Sequence, residues 1–177
     1  DGLCIGPGAG LVKTYPHVPG IDFAGTVENS ENENFQKYDK VILTGWRVGE
    51  VVWGGYAQKA RVKASQLVKM PEGMSSKQAM TMGTAGFSAM LSIIRLEEFG
   101  MTKDNGEVLV TGATGGVGSV STVILSNLGY EVVTVSGKSS SGDYLKSLGA
   151  KRTIDRSELN EVIKRPMESA AWAGCID

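Results

Sequence analysis

The sequence predicts an α/β protein in which a small, mostly antiparallel β unit precedes a doubly wound parallel sheet. Three observations support this fold class. The first ninety residues consist largely of short β-prone runs separated by turn residues. A glycine-rich turn, VTGATGGVG at residues 110–118, joins a strand pattern to a helix pattern, and strands and helices alternate after it. We expect one domain over residues 1–85 and a second over residues 86–177.

In the first domain, four runs combine β-branched or aromatic residues with flanking Gly, Asn, Pro or Ser, which is the pattern of β-strands. These runs are residues 25–27, 40–45, 50–62 and 66–70. The polar segment NSENEN at residues 29–34 is predicted to be a solvated loop.

A helix is predicted from Ser75 to Phe99, because Ser75 followed by Gln78 has the pattern of a helix N-terminus. The alternation of strands and helices begins at Glu107 and predicts a parallel sheet. The expected strands are residues 107–111, 131–136, 151–155 and 173–177, and the expected helices are residues 118–129, 142–150 and 157–164.

Composition excludes several classes of partner. The 177 residues carry a net charge of -1, so the chain has no basic field for nucleic acid and no polybasic patch for a membrane. Two distant cysteines suit a reducing cytoplasm, no signal-peptide pattern opens the chain, and no apolar stretch approaches the about 18 residues that span a bilayer. The chain begins with Asp1 rather than Met, so we expect a piece of a longer protein.

The glycine turn has the context of a dinucleotide-phosphate site, since a strand precedes it and a helix follows it. The first glycine permits a tight turn, the second lets a pyrophosphate approach the backbone, and the third lets helix and strand pack closely. The helix N-terminus then presents free N–H groups to the anion. The predicted contacts are Gly112, Thr114, Gly115, Gly116, Val117 and Gly118.

The end of the next strand distinguishes the two nicotinamide cofactors. An NAD site places Asp or Glu there for the ribose 2′-hydroxyl, whereas this chain has Ser136 and Lys138 and no acid before Asp143. A lysine with hydroxyl donors attracts a 2′-phosphate, so NADPH is the predicted cofactor. The alternative is a polar loop in which Lys138 only faces water.

Two dehydrogenase superfamilies use glycine turns of this kind, with glycines at positions 112, 115 and 118 or at 112, 116 and 118. Short-chain dehydrogenases place the turn near the N-terminus and carry Tyr-x-x-x-Lys. Here about a hundred residues precede the turn, and none of the five tyrosines has Lys four positions later. The segments PGIDFAGTV, YDKVI and GTAGFSAML instead resemble the medium-chain dehydrogenase/reductase superfamily over essentially the whole chain.

Residues 41–71 and 135–152 are similar to one branch of that superfamily, the bacterial quinone oxidoreductase-like proteins that include NADPH-dependent acryloyl-CoA reductases. The resemblance implies an incomplete GroES-like catalytic domain followed by an incomplete Rossmann domain. It also implies NADPH-dependent reduction of an activated double bond, most simply acryloyl-CoA to propionyl-CoA, by a protein that is a homodimer at full length. The alternatives are an NADPH:quinone oxidoreductase and an NADPH-binding protein or fragment without catalysis.

The same resemblance suggests contacts in the first domain. Thr84 is expected on the nicotinamide side of the cofactor, with a helix cap as its alternative role. The substrate, an enoyl-CoA or a quinone, is expected near Trp46, Arg47 and Trp53, and Arg47 is the candidate partner of an acyl-CoA phosphate.

No metal is expected. In zinc-dependent members of the superfamily a histidine of a Gly-His-Glu motif holds zinc, and Ile21 takes that position here. Zinc needs about four N, S or O ligands, and the chain offers one histidine and two distant cysteines. His17, in a proline-bounded segment, is expected to be structural, and no residue is assigned as proton donor.

Overall fold

The computed structural model describes residues 1–6, 10–137, 139–160 and 169–177. The chain divides into two compact units, Asp1–Thr84 and Ala85–Asp177. The first unit opens with a short helix, α1 (Gly2–Ile5), and contains an antiparallel sheet. Its strands are β1 (Asp22–Thr26), β2 (Lys40–Thr44) and β3 (Val68–Lys69), in the order β1-β2-β3. Three of the four predicted β runs are therefore confirmed.

The prediction of a strand at residues 50–62 is wrong, because the backbone there makes different hydrogen bonds. The N–H groups of Gly54 and Gly55 donate to the carbonyl oxygens of Val18 and Gly20, at 2.6 and 2.9 Å. Tyr56 donates in the same way to Pro19. These bonds hold a glycine turn against the preceding segment instead of forming a ladder, so valine content alone misled the prediction.

The predicted helix is α2 (Ser76–Glu98). Its N-terminus has the expected capping arrangement, since the Ser75 N–H donates to Gln78 Oε1 at 2.9 Å and the Gln78 N–H donates to Ser75 Oγ at 3.3 Å.

The expectation that no stretch is long and apolar enough to cross a membrane is wrong. By length and composition alone, the 23 residues of α2 are sufficient. The backbone is broken at Gly83, however, where φ is 49° and ψ is -157°. The break leaves helical pieces of 7 and 15 residues, at positions 76–82 and 84–98. Each piece is shorter than the about 17–25 residues of a spanning helix.

The second unit is a four-stranded parallel sheet in the order β6-β5-β4-β7. This order is the first half of a classical dinucleotide-binding sheet together with the start of the second. The elements are β4 (Val108–Val110), α3 (Gly116–Leu128), β5 (Val132–Ser136), α4 (Gly142–Ser147), β6 (Arg152–Asp155) and β7 (Gly174–Ile176). The predicted alternation of strands and helices is thus confirmed up to β6, and the strand expected at residues 173–177 is also present.

Residues 157–164 differ from the prediction where they are described. Arg156–Asn160 forms a 3-10 turn rather than an α-helix, and residues 161–164 lie outside the described residues. The N–H of Asp155 donates to Glu158 Oε1 at 2.9 Å, which favours this tight turn directly after β6.

The core of the second unit lies on both faces of the sheet. Val108, Val110 and Val132 belong to one buried cluster, which also contains Leu125 of α3. The alternate residues Leu109, Val133 and Val135 belong to a second cluster with Ile154. Alternate residues of each central strand therefore face opposite layers, as expected for a parallel sheet buried on both sides.

Candidate nucleotide-binding site

The glycine turn between β4 and α3 places helix and strand in close contact. Gly112 has φ 51°, in the left-handed region that favours glycine. A Cβ atom on Gly118 would lie 2.6 Å from Gly112 O and 2.7 Å from Ala113 Cα, so no side chain fits there without moving the backbone. These two residues have the geometry expected of the first and third glycines of a dinucleotide turn.

The N-terminus of α3 is left open by its sequence. Gly115 is the N-cap residue and makes no side-chain cap hydrogen bond, and Gly116 and Val117 begin the helix. The Gly115 N–H itself donates to Gly112 O at 2.8 Å, which tightens the turn. The first-turn N–H groups and the positive end of the helix dipole are thereby presented to an anion.

A pocket of about 250 Å³ lies at the carboxyl edge of β4 and β5. Its lining combines the glycine turn with the residues that follow β5 and β6. The lining residues are Gly112, Thr114, Val135, Ser136, Gly137 and Arg156. The structure thus brings three of the predicted contacts, Gly112, Thr114 and Ser136, into one pocket. Lys138, the residue on which the cofactor prediction depends, lies outside the described residues.

Arg156 is a pocket residue that the sequence interpretation missed. It is exposed and immediately follows β6, whose last residue, Asp155, pairs with Ser136 of β5. Carboxyl ends of neighbouring parallel strands lie at the same edge of a sheet, so a basic residue directly after β6 was the signal that could have identified it.

Thr84 of the first unit is held by Asp22 of β1. The Thr84 hydroxyl donates to Asp22 Oδ1 at 2.6 Å, and the Thr84 N–H donates to Asp22 Oδ2 at 2.9 Å. A Cβ atom on Gly83 would lie 2.7 Å from Asp22 Oδ2, so glycine at the break in α2 leaves room for the carboxylate. Asp22 therefore satisfies the open N–H at the restart of the helix, in the manner of an N-cap from a distant strand.

Trp46, Arg47 and Trp53 also belong to the first unit and are exposed. Trp46 and Arg47 have φ values of 56° and 58°, a left-handed conformation that is uncommon for residues other than glycine. Arg47 Nε donates to Glu50 Oε2 at 3.3 Å, and Trp53 Nε1 donates to Pro16 O at 3.2 Å. These hydrogen bonds hold the Arg47 side chain to its own loop and the Trp53 side chain to the segment at Pro16.

His17 has a structural contact, since its Nε2–H donates to Gly49 O at 2.8 Å. In the part of the chain that the structure describes, no group of three or more His, Cys, Asp or Glu side chains is placed to hold a metal ion. Ile21 contributes its backbone N–H to Asp1 Oδ1 at 3.0 Å.

Comparison with known proteins identifies relatives of this chain. The alcohol dehydrogenase GroES-like domain family matches residues 5–72. Acrylyl-CoA reductase AcuI of Ruegeria pomeroyi is 63% identical over 177 residues, which are 100% of this chain and 54% of that protein. The chain therefore spans about half the length of the curated relatives it matches.

Two solved structures are similar in fold. YhdH of Escherichia coli K-12, solved with NADPH bound, is 51% identical with a TM-score of 0.88, over 94% of this chain and 51% of that one. YhfP of Bacillus subtilis, solved with NAD bound, is 41% identical with a TM-score of 0.93, over 98% of this chain and 53% of that one. A curated description of YhfP is putative quinone oxidoreductase.

The GroES-like match, the parallel sheet and these relatives together define a class: over its whole length the chain is similar to members of the medium-chain dehydrogenase/reductase superfamily. The resemblance found in the sequence is confirmed. Within the superfamily, the similarity is to acrylyl-CoA reductases and quinone oxidoreductase-like proteins, which is the branch that residues 41–71 and 135–152 predict.

Proposed function

We propose that the full-length protein is an NADPH-dependent oxidoreductase that reduces the conjugated double bond of acryloyl-CoA to give propionyl-CoA. The observation that carries the choice of substrate is the 63% identity with an acrylyl-CoA reductase across the whole of this chain. The geometry of the glycine turn supports the proposal that a dinucleotide binds. The relative solved with NADPH supports the choice of NADPH over NADH.

The residues present fit a dinucleotide. Gly112, Thr114 and Ser136 line one pocket, and a Cβ atom on Gly118 would strike the backbone of the turn. In our proposal the N–H groups of Gly116 and Val117 at the start of α3 hold the pyrophosphate, and Gly115, whose N–H donates to Gly112 O, shapes the turn beside it. Ser136 and Lys138 then face the adenosine ribose, with Lys138 assigned from its place in the sequence.

When bound, the nicotinamide supplies a hydride to the β-carbon of the double bond, and a proton added at the α-carbon completes propionyl-CoA and leaves NADP⁺. The residues of this chain position the cofactor and stabilise its negative charge. The α3 N-terminus stabilises the negative pyrophosphate. Asp22 fixes the Thr84 hydroxyl by a 2.6 Å hydrogen bond, and we propose that Thr84 lies on the nicotinamide side.

We assign the substrate entrance to Trp46, Arg47 and Trp53. Arg47 is the candidate partner of an acyl-CoA phosphate, and to bind one it must exchange its hydrogen bond with Glu50. The left-handed backbone at Trp46 and Arg47 supports this assignment, since such conformations concentrate at functional loops.

Other features of the full-length protein are also proposed. We propose a catalytic domain over residues 1–85 and a nucleotide-binding domain from residue 86, a division supported by the compact units Asp1–Thr84 and Ala85–Asp177. We propose a cytoplasmic homodimer that binds a small-molecule substrate and neither nucleic acid nor membrane. The net charge of -1 supports the exclusion of nucleic acid, and light scattering tests the dimer.

The experiment follows NADPH and NADH oxidation by the full-length protein, with acryloyl-CoA and a quinone side by side. We expect turnover of acryloyl-CoA with NADPH and much slower reaction in the other combinations. Turnover of the quinone alone would replace the proposal by the activity that the description of YhfP suggests.

A further inference from the structure

We propose that Arg156 binds the 2′-phosphate of NADPH and thereby sets the preference of this chain for NADPH over NADH. The inference rests on the proposed function only in assuming a nicotinamide dinucleotide at the glycine turn. The inference goes beyond the proposed function because it assigns the choice of cofactor to a residue after β6, whereas the sequence pattern pointed only to residues after β5.

The parallel register places Arg156 beside the end of β5. Ser136 pairs with Asp155, so Gly137 and Arg156 leave their strands next to each other at the carboxyl edge of the sheet. A Cβ atom on Gly137 would lie 3.7 Å from Cζ and Nε of Arg156. The guanidinium therefore lies over the residue that follows Ser136, where the ribose of a bound dinucleotide is expected.

The same pocket joins Arg156 to the phosphate-binding turn. Arg156, Ser136 and Thr114 all line the pocket of about 250 Å³, together with Gly112 of the turn. Within the described part of the chain, no carboxylate lines this pocket. An NADH site is built with an acid at this place, so a pocket with a guanidinium instead is electrostatically suited to a phosphate.

Arg156 has an electrostatic interaction with the adjacent Asp155, whose pKa its charge helps to lower. Its neighbours along β6 are paired: Arg152 and Lys151 both form salt bridges with Glu107. Among the residues that the structure describes, Arg156 forms neither a salt bridge nor a side-chain hydrogen bond. Its planar fork of N–H donors therefore has no hydrogen bond to exchange before it binds a phosphate through two of them.

The adjacent carboxylate, Asp155, is occupied by its own turn. Asp155 Oδ1 accepts hydrogen bonds from the hydroxyl and the N–H of Ser157, at 2.6 and 2.8 Å. These bonds, and to a smaller extent the charge of Arg156, lower the pKa of Asp155. The carboxylate therefore stays ionised, and its negative charge partly offsets the attraction of a phosphate. The carboxylate is nevertheless not among the groups that line the pocket.

The test uses the full-length protein and measures dissociation constants without any acyl substrate. Four probes are titrated: NADPH, NADH, adenosine 2′,5′-bisphosphate and AMP. For Arg156→Gln we expect binding of the two 2′-phosphorylated probes to weaken about ten- to a hundredfold, which is the effect of one lost charge-assisted contact. Binding of NADH and AMP should change less than about twofold, because hydrogen bonds to the other parts of the dinucleotide are retained.

Arg95→Gln is the matched control, since Arg95 is an exposed arginine of α2 that pairs with Glu98 outside the pocket. It should leave all four constants unchanged. Equal weakening of NADPH and NADH by Arg156→Gln would overturn the proposal, because it would mean that Arg156 only stacks on the adenine. An unchanged NADPH constant would overturn it as well.

The outcomes separate this inference from the proposed function. Selective loss of NADPH binding in a protein that does not reduce acryloyl-CoA would support the role of Arg156 and refute the proposed substrate. A wild-type protein that binds neither dinucleotide would refute both.

Discussion

The interior of the first unit and the interior of the second unit are packed in different ways. In the second unit, strands and helices bury two clusters of hydrophobic side chains on the two faces of the parallel sheet. In the first unit, glycines bring backbone against backbone: Cβ atoms on Gly49 and Gly54 would lie 2.6 Å from Gly20 N and 2.5 Å from Pro19 O, respectively. Added bulk should therefore damage the first unit most, and lost bulk the second.

The largest effect is expected for Gly54→Ala. The new methyl group would strike the carbonyl groups of Pro19 and Gly20, and these cannot retreat without breaking the hydrogen bonds that Gly55 and Tyr56 donate to them. Overpacking against backbone should cost at least about 3 kcal/mol of unfolding free energy, measured by urea denaturation of the full-length protein.

Gly142→Ala is the control for this substitution. It is the first residue of α4, has open space around it, and alanine favours helix, so stability should stay unchanged or rise by up to about 1 kcal/mol. If Gly54→Ala were as stable as the wild type, the first unit would not depend on close backbone contact.

The second effect in size concerns Leu125→Ala in the second unit. Leu125 is completely buried in the cluster beneath β4 and β5. Its truncation should cost about 2–5 kcal/mol, because the packed neighbours relax only partly into the cavity. Leu128, on the same helix but 38% exposed, should lose about 1 kcal/mol or less on the same change, since it buries less apolar surface. Equal losses in a urea titration would contradict the assigned core.

This contrast explains how far the sequence could be interpreted. Strands and helices of the second unit follow from hydrophobic runs and from Gly129, whose left-handed conformation ends α3 as predicted. The segment at residues 50–62 misled the prediction, because its hydrogen bonds go to a distant segment that no local pattern reveals. Arg156 was missed for a related reason: its place beside Gly137 depends on strand register.

The third effect concerns the carboxylate that joins β1 to α2. Asp22→Asn keeps one oxygen and replaces the other by an NH₂ group, so one of the two donors of Thr84 loses its acceptor. We expect a loss of about 1–2 kcal/mol in unfolding free energy. Thr84→Val removes the hydroxyl donor. The unfolding free energy of the double variant should therefore fall by less than the sum of the losses in the two single variants. Additive losses in the double-mutant cycle would show that Asp22 and Thr84 do not act together.

The smallest effect should come from charge at the edge of the second sheet. Hydrogen bonds from Arg152, and then from Lys151, lower the pKa of Glu107, although burial opposes them. A carboxyl whose folded pKa lies below its unfolded value, about 4.3, stabilises the protein above that pH. The contribution is lost as the pH falls through the folded pKa.

Glu107→Gln should therefore lower the unfolding free energy by about 0.5–1 kcal/mol at pH 7, since the partner side chains are half exposed. The difference from the wild type should shrink as the pH is lowered below about 4.3. Glu33→Gln, at an exposed loop glutamate without a salt bridge in the described chain, should show no difference at either pH. A difference for Glu107 that grew on acidification would mean that the carboxylate is destabilising, and the second unit would then depend on its buried side chains alone.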